Sequence, residues 1–125
     1  MTKYIAILNQ FESALIRLEE VMEKPKDDIV RDSAIKRFEI VFDLSWKIIK
    51  SFLEEKHNIV CHSPASCFRE AYQQKLIEYD DIWLKIAKHR NELAHTYRQE
   101  TADRVYGELP EIISHFKNLL EAVKK

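Results

Sequence analysis

His89-Arg90-Asn91-Glu92-Leu93-Ala94-His95-Thr96-Tyr97 is the densest run of chemically competent side chains in the sequence. Imidazoles move protons near neutral pH, and a guanidinium grips phosphate oxygens with paired donors, so this mixture suits phosphate chemistry. Between Lys85 and Arg104, five basic residues (Lys85, Lys88, Arg90, Arg98, Arg104) stand against three acidic ones, Glu92, Glu100 and Asp103. The local balance is positive. The whole chain, with 20 Lys and Arg against 21 Asp and Glu, carries a net charge of -1. No overall positive field advertises a polyanion partner, so any nucleic-acid contact is local and DNA is not expected.

A helix turns about 100° per residue, which places Arg90 and Tyr97 on nearly the same side and Asn91 with His95. Arg90 and His95 diverge by about 140°. They converge only if the helix ends or distorts between them, or if two copies of the segment face each other in a dimer. Such a cleft suits RNA cleavage without a metal. One His takes the 2′-hydroxyl proton, another protonates the leaving oxygen, Arg90 stabilises the charge growing on the phosphate, and Asn91 orients either partner. The plainer alternative is a set of cap and salt-bridge residues at a helix end. His89 with His95 makes a weaker metal pair, and no metal or cofactor is expected. Cys61 and Cys67 flank His62 at a spacing longer than zinc sites favour. The expectation is two reduced thiols in a cytoplasmic chain.

These residues need a scaffold, and the pattern predicts helices throughout. The chain has 125 residues, a length that fits one domain over 1–125, and its one glycine and three prolines are too few for a turn-rich β protein. Tyr4, Leu8, Phe11, Leu15, Leu18 and Met22 draw one apolar stripe along a first helix. Lys24-Pro25-Lys26-Asp27-Asp28 breaks it, and an aspartate there can cap the next helix. From Ile29 to Lys56 the apolar positions Ile35, Phe38, Ile40, Val41, Phe42, Leu44, Trp46, Ile48, Ile49, Phe52 and Leu53 cover several sides. This helix is expected to be central, with its extra face a dimer contact. Its polar line of Glu39, Asp43 and Lys47 is either a solvated stripe or the charged wall of a cleft. Residues 57 to 65 read as a loop in which Ser63 caps and Pro64 opens a third helix through Phe68, Ala71, Tyr72 and Leu76. Asp80 or Asp81 caps a fourth helix leading into Arg90, and Thr101 opens a fifth, with Pro110 bending it or setting its true start. The fold class is all-α, an up-and-down antiparallel bundle of four to five helices. The amino-terminal apolar run is too short for a signal peptide, and no stretch approaches a membrane span, so the chain is expected in the cytoplasm.

Arg90-Asn91-Glu92-Leu93-Ala94-His95-Thr96-Tyr97 matches the Arg-x4-His-x-Tyr motif of HEPN domains. Arg37-Phe38-Glu39-Ile40-Val41-Phe42-Asp43-Leu44-Ser45-Trp46-Lys47 resembles the signature of one branch, the nucleotidyltransferase substrate-binding protein family. The two segments occur in the family's order and cover a chain of family length. The resemblance implies a homodimeric helical bundle with a charged cleft near the dimer interface, and a separate minimal nucleotidyltransferase as partner. Members of this branch are similar to helical subunits proposed to bind the partner's substrate. Related HEPN proteins are ribonuclease toxins silenced when the nucleotidyltransferase attaches AMP to the motif tyrosine. Carried over, Arg90 and His95 take RNA cleavage, Asn91 supports them, and Tyr97 is the modification site. Substrate binding, by Glu39, Asp43, Lys47, Arg90 and Asn91 on a nucleotide or RNA, ranks ahead of ribonuclease activity because of the second-helix signature.

Overall fold

The computed structural model describes residues 2–78, 81–95 and 97–124. Five helices follow one another among the described residues: α1 (Lys3–Met22), α2 (Asp28–His57), α3 (Pro64–Gln73), α4 (Asp81–His95) and α5 (Gln99–Lys124). There is no strand among the described residues. The architecture is the expected all-α up-and-down bundle.

Helix boundaries follow from local chemistry. The Thr2 hydroxyl accepts from the Ile5 amide and the Asp27 carboxylate from the Val30 amide, each satisfying a donor the first turn leaves open. Ser63 and Ser66 form a reciprocal capping box, and Pro64 takes the first helical position. Asn58, with φ 55°, closes α2 in the left-handed region that Asn tolerates.

Four expectations change. The third helix stops at Gln73 rather than running through Leu76. Lys75 turns left-handed (φ 62°) and its amide bonds the Tyr72 carbonyl, while the Leu76 amide bonds that of Ala71, a Schellman closure. Helix α4 starts at Asp81, so Asp81 lies inside the first turn rather than capping it. Asp80, the other proposed cap, and Thr96 of the motif fall outside the described residues. Helix α5 opens at Gln99, two residues before Thr101, and Pro110 lies within it rather than at its start. Proline has no amide to offer the Tyr106 carbonyl one turn back, which leaves one helical bond unmade.

The fourth correction concerns the cysteines. Cys61 and Cys67 are joined by a disulfide instead of standing as reduced thiols. Sequence spacing alone missed it, because the capped start of α3 folds the chain back until the two Cα atoms are 5.2 Å apart.

Helix α2 is central as expected, packing on all four others. Most of its broad apolar surface is consumed within one chain, leaving Ile29 in its first turn and Ile40, beside α1, exposed. Aromatic rings run through the core from helix to helix. Phe11 of α1 and Phe38 of α2 each meet Phe116 of α5 with centroids 6.3 Å apart. Phe42 of α2 lies 5.9 Å from Phe68 of α3, which stacks at 5.0 Å on Trp83 of α4. Trp83 closes the circuit on Phe116 at 5.6 Å. Such ring pairs add roughly 0.5–1.5 kcal/mol each beyond burial, and here they fix where α4 sits.

Candidate functional site

Helix α4 runs unbroken to His95, so the divergence expected of a continuous helix is what one chain shows. Arg90 turns toward α2, where its Nη2 lies 3.6 Å from Asp43 Oδ1. Its Nε is buried without a hydrogen-bond partner among the described residues. Asn91 and His95 face the other way, exposed on an open groove of about 390 Å³ between α4 and α5. Lys88, Glu92, Arg98 and Thr101 complete its lining.

The polar line on α2 divides. Asp43 meets Arg90, Glu39 is half-buried one turn earlier, and Lys47 borders a separate groove with Lys3, Ile7 and Trp46. The three do not form a single wall in one chain.

His89 is buried and belongs to a different set. Its Nε2 stands 3.0 Å from Glu108 Oε2, while Nδ1 lies 3.4 Å from Arg104 Nη1. The Nε2–Glu108 approach is an ion-pair distance without hydrogen-bond alignment, and among the described residues Nε2 is buried with no hydrogen-bond partner. Lys85 joins Glu108 at 3.1 Å. Burial pushes the Glu108 carboxyl up, but the Lys85 hydrogen bond and the His89 charge outweigh it and hold the group below its ordinary range. Arg104 also donates to Glu92 Oε2 at 2.7 Å, so this acid bordering the groove has its charge compensated. His89 therefore locks α4 to α5 and points away from any pairing with His95.

Tyr97 lies in the connection after α4, and its hydroxyl donates to Asp32 Oδ1 at 2.5 Å across 65 residues of sequence. Behind Asp32 sits Arg31, buried at 4% exposure, within 3.1 Å of Asp32, 3.3 Å of Asp103 and 3.5 Å of Asp28. Lys26 closes on Asp103 at 3.0 Å. The phenol of Tyr97 is pushed up to about 12, first by burial and then by Asp32, because both disfavour a second negative charge. The Tyr97 hydroxyl and then Arg31 hold the Asp32 carboxyl below its ordinary value.

Sequence reading passed over Asp32, Arg31 and Glu108, and counted Arg104 only as local positive charge. Asp28, Arg31 and Asp32 share a turn and were visible as a charge cluster, but their meeting with Tyr97 and Asp103 is tertiary and leaves no local signal.

A family model described as nucleotidyltransferase substrate binding protein like matches residues 6–125. The chain is 29% identical to the probable ribonuclease HepT of Haemophilus influenzae, over 94% of this chain and 92% of that protein. A crystal structure from Thermus thermophilus superposes with a TM-score of 0.86 at 28% identity, covering 92% of this chain and 99% of the other. A Haemophilus influenzae structure, described as revealing the fold of a substrate-binding domain of a nucleotidyltransferase, gives 0.82 at 26% identity over 94% and 99%. The same fold, at 18% identity and a TM-score of 0.80 over 99% and 98%, occurs in a tri-AMPylated Shewanella oneidensis HEPN toxin in complex with its MNT antitoxin.

Proposed function

Because the chain belongs to the nucleotidyltransferase substrate binding protein like family, we propose that it is the helical partner subunit of a separate minimal nucleotidyltransferase and holds a nucleotide or RNA substrate. The observation that carries this reading is the α4–α5 groove. Lys88 and Arg98 offer positive charge, Asn91 and Thr101 offer hydrogen bonds, His95 offers a titratable donor, and Arg104 offsets Glu92. The described Haemophilus and Shewanella neighbours support a nucleotidyltransferase partner. The working unit is a homodimer. In one chain Arg90 and His95 look to different sides of α4, and a two-fold contact brings the Arg90 of one copy to the His95 of the other. Residues 1–125 act as one domain, supported by the hydrophobic cluster all five helices share, and the site of action is the cytoplasm, where nucleotides and RNA are supplied.

A ribonuclease reading is favoured by one specific observation, the 29% identity to a probable ribonuclease together with an exposed His95 on the groove. In the dimer one His95 removes the 2′-hydroxyl proton, the second protonates the leaving oxygen, and Arg90 stabilises the phosphate oxygens. AMP transfer to Tyr97 then silences the site by charge and bulk.

The deciding experiment incubates wild type and His95→Ala with total cellular RNA in excess EDTA, and measures binding of a labelled RNA oligonucleotide. The binding role predicts intact RNA with both proteins and roughly tenfold weaker binding by His95→Ala, the scale of one charge-assisted hydrogen bond. Cleavage by wild type alone overturns it in favour of the ribonuclease.

A further inference from the structure

Asp32 has no task in the groove, whose lining does not include it. Yet it is held from behind by a buried arginine that ties α2 to α5, and its free face is turned to the hydroxyl of a half-exposed tyrosine. That is the geometry of a fixed base beside a nucleophile, with the oxygen already at hydrogen-bond distance.

We propose that Asp32 is the proton acceptor that makes Tyr97 a nucleophile toward a nucleoside triphosphate. The proposal rests on the reading of Tyr97 as the acceptor of a nucleotidyl group. In the step, Tyr97 Oη bonds to the α-phosphorus while the α-phosphorus to bridging-oxygen bond breaks, and pyrophosphate leaves with the electron pair. The phenolic proton passes to Asp32 Oδ1 and then to water, which restores the carboxylate.

A base is needed because Tyr97, with its phenol pushed up to about 12, supplies almost no phenolate near neutral pH. The proton must leave as the new bond forms. Asp32 is ionised throughout the neutral range, held so by the Tyr97 hydroxyl and by Arg31. It is a weak base, and the transfer is correspondingly late. Once the phenolic oxygen begins to bond to phosphorus its acidity rises steeply, and the proton then moves to a carboxylate that needs no rearrangement to receive it. Arg31 is a positioning residue in this scheme.

The test uses the purified chain and an adenosine-bearing arylsulfonyl fluoride. Tyrosine attacks its sulfur, fluoride leaves, and the phenolic proton must again find a base. Peptide mass spectrometry reads labelling at Tyr97 against Tyr72, which is 46% exposed beside 50% for Tyr97 and has no bonded carboxylate among the described residues. Asp32→Asn is expected to slow Tyr97 about a hundredfold, the low end for a positioned base, with part of the rate kept in Asp32→Glu. In wild type, Tyr97 labelling is flat across the neutral range, where Asp32 is already ionised, while Tyr72 labelling rises with hydroxide. Equal or faster labelling of Tyr97 in Asp32→Asn overturns the proposal, as does a wild-type profile parallel to that of Tyr72, a measurement that needs no variant to fold. Natural use of the site is read separately, from the intact mass of protein isolated from its source. Unmodified protein there overturns the acceptor reading and leaves the labelling result to judge Asp32.

Discussion

Replacing Asp43 by asparagine preserves the side chain's shape and removes its charge, which releases Arg90 from the carboxylate 3.6 Å away. At that separation the attraction is about 1 kcal/mol in water and about 5 kcal/mol at an effective dielectric of 20. Arg90 is 29% exposed and Asp43 43%, and the distance exceeds a direct hydrogen bond, so the watery end applies and the net hold is about 0.5–1 kcal/mol. A phosphate that recruits Arg90 must overcome this hold. Asp43→Asn is therefore expected to tighten binding of a short labelled RNA about two- to fivefold, read by fluorescence anisotropy at one fixed salt concentration. Arg90→Ala weakens binding, and on that background Asp43→Asn changes nothing. Weaker binding by Asp43→Asn would show that the carboxylate itself contacts the ligand. A gain that persists without Arg90 would show only a general charge effect. Either result refutes the idea that Asp43 restrains Arg90.

Reduction of the Cys61–Cys67 bond, which closes a loop of sequence separation 6, is expected to cost about 2 kcal/mol by the loop-entropy relation and roughly 7 °C in Tm. Thermal melts with and without reductant measure this, and thiol titration of the denatured, unreduced protein should find no thiols; two thiols would remove the disulfide. At alkaline pH, Tyr97 holds its proton more tightly in the fold than in the unfolded chain, so its contribution to stability is full below about pH 10 and is lost as pH rises from 10 toward 12. The Tm gap between wild type and Tyr97→Phe should narrow over that window, and a gap that widens contradicts the Tyr97–Asp32 contact.

Periodicity and caps carried most of the architecture, because both are written in neighbouring residues. The stripe from Tyr4 to Met22, the crowded α2, the Ser63-Pro64 start and the divergence of Arg90 from His95 all follow from a period of 3.6. What was not legible depends on distant partners. The left-handed turn at Lys75 ends α3 before the apolar Leu76 is reached, and α5 starts two residues ahead of Thr101. Nothing near Arg31 announces that a charged side chain will be buried, since its stabilising acids arrive partly from α5. Likewise Glu39, Asp43 and Lys47 share a line on paper, but what surrounds α2 assigns Asp43 to Arg90 and Lys47 to another groove.

The aromatic circuit sets an order on how the chain acquires its structure. Helices α1 and α2 are adjacent in sequence and can pair as a hairpin soon after both are synthesised, because closing a short connection loses little entropy. Phe11, Phe38 and Trp83, however, all rest on Phe116, and the Tyr4 hydroxyl donates to the Val123 carbonyl, 119 residues onward. Until α5 arrives, three large rings from three different helices have no common partner and stay open to water. A nascent or truncated chain lacking α5 is thus a collapsed, sticky species rather than a smaller stable bundle, and it depends on rapid completion or chaperone shelter to escape aggregation.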